Sequence, residues 1–436
     1  MNDVTIQRRN TSLRVVLLVS VLFVSLVFLR SPNYVQFSDA GTAPFAGDFL
    51  QEWVGGYAVR TIGAAGLYDE SKIRSLQHDE QLVGFRWDQS HYFAMVYPPF
   101  HYVLLSPLSY LPYKAAAWLF TLAMVGCYFA TGTLLVRDTL ASAESSGTRD
   151  ALQVKLRFAP WCIAAGLFFV PLISNITTAQ KGTLCLLLFT GTYLLLKSNR
   201  SFSAGAAFGL LLFKPQLVLI IGLVMLMKKQ WRFLAGVATA ASLYASIMLA
   251  LGPDVCWQYL HFLTGVTEYV HTSGYDLYKS HCLYGFITLL AGGKATIAVK
   301  CITVLAAVFV FGFLWQIIYG KFNPSGDRFS LQFSGLVIAS LLLSPHLFTY
   351  DLTILLLPMW LLTVDALRSG VNQTARQAML WPIIGLFVVA GFSHVVAAAG
   401  GLQLTTLFML ALLFTIRRTS CIAMTTPSIA MPVVYS

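Results

Sequence analysis

The chain has 436 residues, 57% of them hydrophobic and 11% charged, with a formal net charge of +11 and a mean hydropathy of +0.70. Soluble domains carry about 25% charged residues. These figures therefore exclude a string of soluble domains and point to an all-α polytopic membrane protein. The positive balance fits Lys and Arg gathered on cytoplasmic loops and not a nucleic-acid surface.

The N-terminus has a basic front (Arg8, Arg9, Arg14) and an apolar run from Val15 to Leu29. A small-x-small cleavage site is missing, so the run is read as an anchored first helix and not as a removed signal peptide. Spans are expected at about 13–29, 115–136, 158–174, 182–197, 203–213, 216–227, 231–251, 295–319, 330–345, 349–367, 379–397 and 402–416, about 12 transmembrane helices in all. The runs 203–213 and 216–227 are each too short to cross a core of roughly 30 Å without bending or thinning the bilayer. The segment 97–111 is apolar but broken by Pro98, Pro99 and Pro107. Proline removes backbone donors and disrupts helix interiors, so a short helix at the interface is expected there.

With the N-terminus inside, most of the 29 Lys and Arg fall on inner segments, among them Arg137, Lys197, Lys228, Lys229, Arg417 and Arg418, and most of the 18 Asp and Glu fall outside. That is the charge asymmetry of a multi-pass protein of the cell (inner) membrane with both termini cytoplasmic. The chain then divides into a first helix with its cytoplasmic lead (1–29), a long outer first loop (30–114), a transmembrane module (115–251), a second outer loop (252–294) and a C-terminal transmembrane module with a cytoplasmic tail (295–436).

Within the first outer loop, Phe49, Trp53 and Tyr57 recur every four residues, as do Leu50, Val54, Ala58 and Ile62, while Asp48, Gln51, Glu52 and Thr61 take the remaining positions. The period predicts an amphipathic juxtamembrane helix lying on the bilayer. Asp48 suits two roles. Asp is a preferred N-cap, and Gln51 three residues on completes a capping-box pattern. A carboxylate at this place is also suited to removing a proton from an attacking hydroxyl, a role for which Asp39, Asp69, Glu70 and Asp88 compete. "NITTAQKG" (Asn175–Gly182) offers Gln180 and Lys181. Lys214 interrupts an apolar stretch, where it either faces a cavity or an anionic ligand, or snorkels from a bent helix. "SPHLFTYD" (Ser344–Asp351) supplies His346 and Asp351, the latter also readable as a helix cap. Lys214 and His346 would meet a phosphate by charge and hydrogen bonding. Cys256 and Cys282 share the second outer loop and have the chance to pair in an oxidising compartment. No Cys/His spacing for a metal is present.

In order along the chain, "GDFLQEWVGGYAV", "GLYD", "YPPFHYVLLSPLSYLP", "TTAQKGTLCLLL", "SAGAAFGLLLFKPQLVLIIGLVMLMKKQWR" and "SPHLFTYDLTILLLP" resemble the GT-C glycosyltransferases, and within them glycosyltransferase family 87, the polyprenyl-phosphate-mannose-dependent mannosyltransferases. The likeness covers roughly residues 45–360 and rests on the order of the motifs and the long first loop. It implies a GT-C fold and inverting transfer of a hexose, mannose above all, from a polyprenyl-phosphate donor to a glycolipid or glycan acceptor at the outer (periplasmic) face of the cell envelope. No cofactor beyond the lipid-linked donor and no metal site is implied. The family's catalytic aspartate falls on Asp48, in the Asp-apolar motif Asp48–Phe49. Its donor-phosphate group maps on His346, one histidine where relatives often have two, and Gln180 stands in "AQKG" where the family often has a Gly-Gln pair. Lys214 would stabilise the leaving phosphate, with Tyr57 and Tyr97 lining the sugar pocket. A lipid-linked sugar flippase or transporter would explain the spans but not the long first loop. A surface-polysaccharide polymerase or ligase would lean on arginines in a late outer loop, and 252–294 contains none.

Overall fold

A computed structural model of the chain describes residue 22 and residues 43–145, 162–272, 276–367 and 373–425. The expected first span lies, apart from residue 22, outside the described residues, as does the start of the run 158–174. Every regular element among the described residues is helical. Among the described residues, four helices are long and apolar enough to cross a membrane: Tyr113–Ser142, Trp231–Leu251, Ile297–Ile317 and Thr349–Ala366. Gln373–Val389 and Ser393–Gly400, bent by 70°, make a fifth if they are one span.

The expectation of about 12 full-length spans is not confirmed, because other apolar runs fold as shorter helices. Gly182–Lys197, Ser201–Phe213, Pro215–Met227 and Phe329–Leu342 are of this kind. The break at Lys214 has a local cause. Its backbone leaves the helical region (φ −124, ψ 73), and Pro215 starts the next helix. Proline there lacks only an N–H that would be unsatisfied at a helix start.

Residues 43–112 form short helices, Phe49–Thr61, Glu70–Gln77, Glu80–Val83 and Pro99–Leu105. The last lies inside the proline-broken segment 97–111, as expected. The amphipathic reading of Phe49–Thr61 is corrected. Phe49, Leu50, Gln51, Glu52, Trp53, Val54, Gly55, Gly56 and Ala58 are all buried, so the first half of the helix is a core element without an exposed polar face. The helix Pro99–Leu105 and the 3-10 turn Ser106–Tyr110 pack against it, and Tyr102 fills the space over Gly55, where a Cβ would fall 2.2 Å from the ring. A helix buried all round needs partners for its polar residues, and these partners build the site described below.

Ser201–Gly209 and Trp231–Leu251 cross closely. A Cβ on Gly205 would lie 1.9 Å from the Phe233 carbonyl oxygen, and one on Gly236 would lie 2.1 Å from that of Phe202. Backbone faces backbone, the small-residue contact that drives helix pairing in lipid. Gly236→Val has no side chain to push aside, and we expect it to lower stability by at least about 1–3 kcal/mol, measured as the thermal unfolding midpoint in detergent. Gly222→Ala, whose added Cβ meets nothing within 4 Å, does not lower the midpoint.

Cys256 and Cys282, for which the sequence left pairing open, are both free thiols. Cys282 is buried at the N-cap of Leu283–Leu290, where its Sγ accepts from the Gly285 N–H at 3.3 Å. The Cys256 thiol is directed at the Met248 carbonyl, 3.6 Å away.

Candidate active site

Two left-handed turns meet at the start of the Phe49–Thr61 helix. Ala46 (φ 58) and Gly47 (φ 54) precede Asp48, and Ala179 (φ 47) precedes Gln180. Alanine in this region is strained, and such residues persist where the surroundings over-determine them. Ala46 is 0% exposed and Ala179 2%, and Gly47 has the Thr178 backbone within 3.0 Å of its Cβ position. The turns place Gln180 Nε2 as donor to Asp48 Oδ2 at 2.5 Å. Asn175 fixes the second turn by donating to the Gln180 carbonyl at 2.5 Å and accepting from the Thr183 N–H at 3.0 Å.

The capping role of Asp48 is not realised. Its backbone is already helical (φ −68, ψ −13), and its side chain bonds no N–H of the first turn. Gln51, the other half of the expected capping box, donates instead to the Ala94 carbonyl. Asp48 therefore sits at a helix start with its carboxylate directed at Gln180. Burial raises its pKa above the ordinary value, with the Gln180 hydrogen bond pulling down, Glu52 pushing up, and Lys181 and Lys214 pulling down.

One turn further on, Glu52 joins a buried cluster of charges. Its Oε2 meets His101 Nε2 at 2.5 Å, and its Oε1 pairs with Lys181 Nζ. Lys181 Nζ lies 3.1 Å from His101 Nε2 and 3.7 Å above the Tyr97 ring, a cation–π contact. Glu52 is 3%, Lys181 2% and His101 5% exposed. Burial pushes the Glu52 carboxyl up, but Lys181 and His101 override it and hold it at about 2. Burial lowers Lys181 against the pull of Glu52, to about 8, so the ammonium persists at neutral pH. Burial also lowers the His101 pKa. A second pair, Lys214 Nζ to Asp351 Oδ1 at 2.5 Å, stands close by. A Cβ at Gly182 would fall 2.5 Å from the Tyr350 carbonyl oxygen. Only glycine lets the Gln180–Gly182 turn approach the 3-10 segment Thr349–Leu355 that carries Asp351.

Asp48 opens into a cavity of about 570 Å³, walled also by Gln51, Trp87, His91, Tyr92 and Phe93 from the first-loop segment, Asp276 and Lys279 from the second, and Phe348, Thr349 and Tyr350. The sequence-predicted residues take different places around it. Asp48 lines it, and Gln180 holds Asp48. Lys214 and Asp351 form their pair behind the wall, with Lys214 Nζ 5.1 Å from the Tyr350 ring centroid. His346 is exposed, and its Nε2 lies 3.1 Å from Gln216 Nε2. Tyr97 is buried against Lys181. Tyr57 is not brought to the cavity: it stacks on Trp53 at 5.5 Å and under Arg60 at 5.2 Å.

Sequence reasoning missed Glu52, His101 and Lys181 as a unit, and Lys279 as the lysine on the cavity wall. Glu52 sits four residues after Asp48, hence on the same helix face, which was the one available signal. Among the described residues no group of three or more His, Cys, Asp or Glu is arranged to hold a metal ion.

Comparison of the chain with curated proteins and with solved structures gives no match. The model of glycosyltransferase family 87 matches residues 95–345, more than half of the chain, and this stretch contains His101, Gln180, Lys181, Lys214 and Lys279 of the site. The chain belongs to glycosyltransferase family 87 and is a membrane glycosyltransferase.

Proposed function

We propose that the chain transfers a hexose, mannose first among the candidates, from a polyprenyl-phosphate donor to a glycolipid or glycan acceptor at the outer face of the cell membrane, with Asp48 as general base. The observation that carries this reading is the placement of Asp48: freed from capping, raised in pKa by burial and lining the large cavity. A catalytic base works best with its pKa moved toward the working pH. In a single displacement, the acceptor oxygen attacks the anomeric carbon and its proton passes to Asp48. The bond from that carbon to the phosphate oxygen breaks, and its electron pair leaves with the polyprenyl phosphate, giving inversion.

The leaving phosphate needs positive charge. Lys214 is 4% exposed and neutralised by Asp351, so its role is to hold the Tyr350 wall and add field from behind. Direct contact falls to Lys279, which lines the cavity; it pairs with Asp276 at 2.8 Å, but with its side chain 52% exposed it can turn to a phosphate as the buried Lys214 cannot, and His346 stands beside the same wall. Gln180 orients the Asp48 carboxylate, and Tyr97 holds Lys181 in register behind it. The donor's chain would enter from the bilayer, and no further cofactor takes part in this scheme.

The test is purified protein with polyprenyl-phosphate mannose, followed for polyprenyl phosphate release and glycosylated product. Lys279→Met is expected to raise the donor KM on the order of tenfold, the loss of one charge-assisted contact. An unchanged donor KM removes Lys279 from the phosphate site. Movement of the intact donor across a bilayer without sugar transfer would overturn the whole reading.

A further inference from the structure

A second cavity lies next to the first. It measures about 270 Å³, and its lining includes Tyr68, Glu70, Tyr92, Met95, His261 and Phe262. Tyr92 borders both cavities, so they share an aromatic wall residue.

We propose that this second cavity is a saccharide subsite that receives the acceptor glycan beyond the unit being glycosylated, a proposal that rests on the Asp48 cavity being the place of transfer. Its lining has the chemistry that recognises sugars. The apolar C–H faces of a pyranose pack on aromatic rings, and its hydroxyls bond to carboxylates and imidazoles at the rim. Tyr68 and Phe262 lie 5.5 Å apart with planes at 34°, and Tyr259 adds a ring 5.8 Å from Tyr68. The Tyr68 hydroxyl donates to the Tyr97 carbonyl at 3.0 Å, which fixes the ring as a platform and ties it to the residue beneath Lys181. Arg74 lies 4.6 Å from the Tyr92 ring centroid and holds that side chain from its other neighbour, Glu70, which it pairs with at 3.0 Å.

The rim offers Glu70, with a side chain 60% exposed, and His261, which is exposed. The lining holds one carboxylate and neither Lys nor Arg, and the nearby Arg74 is already paired with that carboxylate, Glu70, so no cation is left over. That composition matches a neutral glycan and does not match a phosphate-bearing headgroup, which requires cations. The two cavities thus differ in what they offer: the one that holds Asp48 has a lysine, Lys279, paired with Asp276, and the other has none, so the uncharged hydroxyl-rich partner fits the second.

The full chain in lipid nanodiscs, probed by saturation-transfer NMR with methyl α-mannobioside and methyl β-maltoside, tests the assignment. Wild type is expected to bind at least one disaccharide. Glu70→Gln and His261→Ala, both at exposed positions, are each expected to raise its Kd on the order of tenfold, the loss of about one good contact. Asp48→Asn is expected to keep the disaccharide bound. No binding by wild type, or an equal Kd in wild type and both rim variants, overturns the subsite whether or not the protein transfers sugar. Weakened binding in the rim variants of a protein that releases no polyprenyl phosphate from polyprenyl-phosphate mannose supports the subsite and refutes the mannose-donor reading of the Asp48 cavity instead.

Discussion

Asp48→Asn is expected to reduce sugar transfer by about 10²–10⁴-fold, the usual contribution of a positioned general base, with the donor still bound. Asparagine keeps an oxygen to accept the Gln180 amide proton, so the two left-handed turns and their packing are retained. What it lacks is the ability to take the acceptor proton. The effect therefore belongs in kcat, measured as polyprenyl phosphate release, with little change in donor KM. Transfer by Asp48→Asn at the wild-type rate refutes the assignment of Asp48. The pH dependence supplies a second check. A base works ionised, so kcat/KM falls as pH drops through the Asp48 pKa, and burial places that acid limb above the ordinary carboxylate range. The Gln180 hydrogen bond lowers the pKa, so Gln180→Ala is expected to move the limb to higher pH. A limb that stays in place in Gln180→Ala would separate the titrating group from the pair seen at 2.5 Å.

Hydropathy and charge made the membrane character and the helical class legible, because lipid leaves helices or closed barrels as the only spanning structures. The span Trp231–Leu251 coincides with its expected run, since its ends are set by a turn and a glycine that any reading of the chain would find. Spans near the site were less legible. The run 349–367 begins as a 3-10 turn, Thr349–Leu355, before it becomes an α-helix at Leu356, and nothing in its apolar composition distinguishes the two. Local pattern also misled at Asp48 and Gln51. Their capping-box spacing is real, but Gln180 and the Ala94 carbonyl, 132 and 43 residues away, compete for the same side chains and win. Glu52 was misplaced for a related reason. Amphipathic periodicity assigns a charged residue to solvent, and only the fold reveals that Lys181 arrives from 129 residues away to keep it ionised in the interior. Asp48 could be nominated from its motif, whereas the buried cluster beside it is a product of tertiary contacts.

That cluster yields the largest expected effect on stability. Lys181→Met leaves the Glu52 carboxylate buried with His101 as its remaining ionisable partner, and removing one member of a buried ion pair costs about 3–5 kcal/mol. Denaturant or thermal unfolding in detergent measures the loss. The double variant Glu52→Gln with Lys181→Met removes the stranded charge and is expected to recover part of it, because the pair itself offsets little more than its own desolvation. The sign of the pH dependence follows from Glu52. Its carboxyl is held at about 2 in the folded protein against an ordinary 4.5, so its stabilisation is full above the unfolded value and disappears as pH falls from 4.5 toward 2. Glu52→Gln is expected to flatten that part of the wild-type stability curve. A wild-type curve of the same slope in Glu52→Gln, or Lys181→Met as stable as wild type, would show that the pair does not carry the charge assigned to it. A cluster this costly to bury is best explained by what it holds. Glu52 lies one turn from Asp48, and Lys181 adjoins Gln180, so the pair clamps the proposed base and its hydrogen-bond donor from behind. Loss of activity in the double variant, with its stability partly restored, is the expected signature of that positioning role.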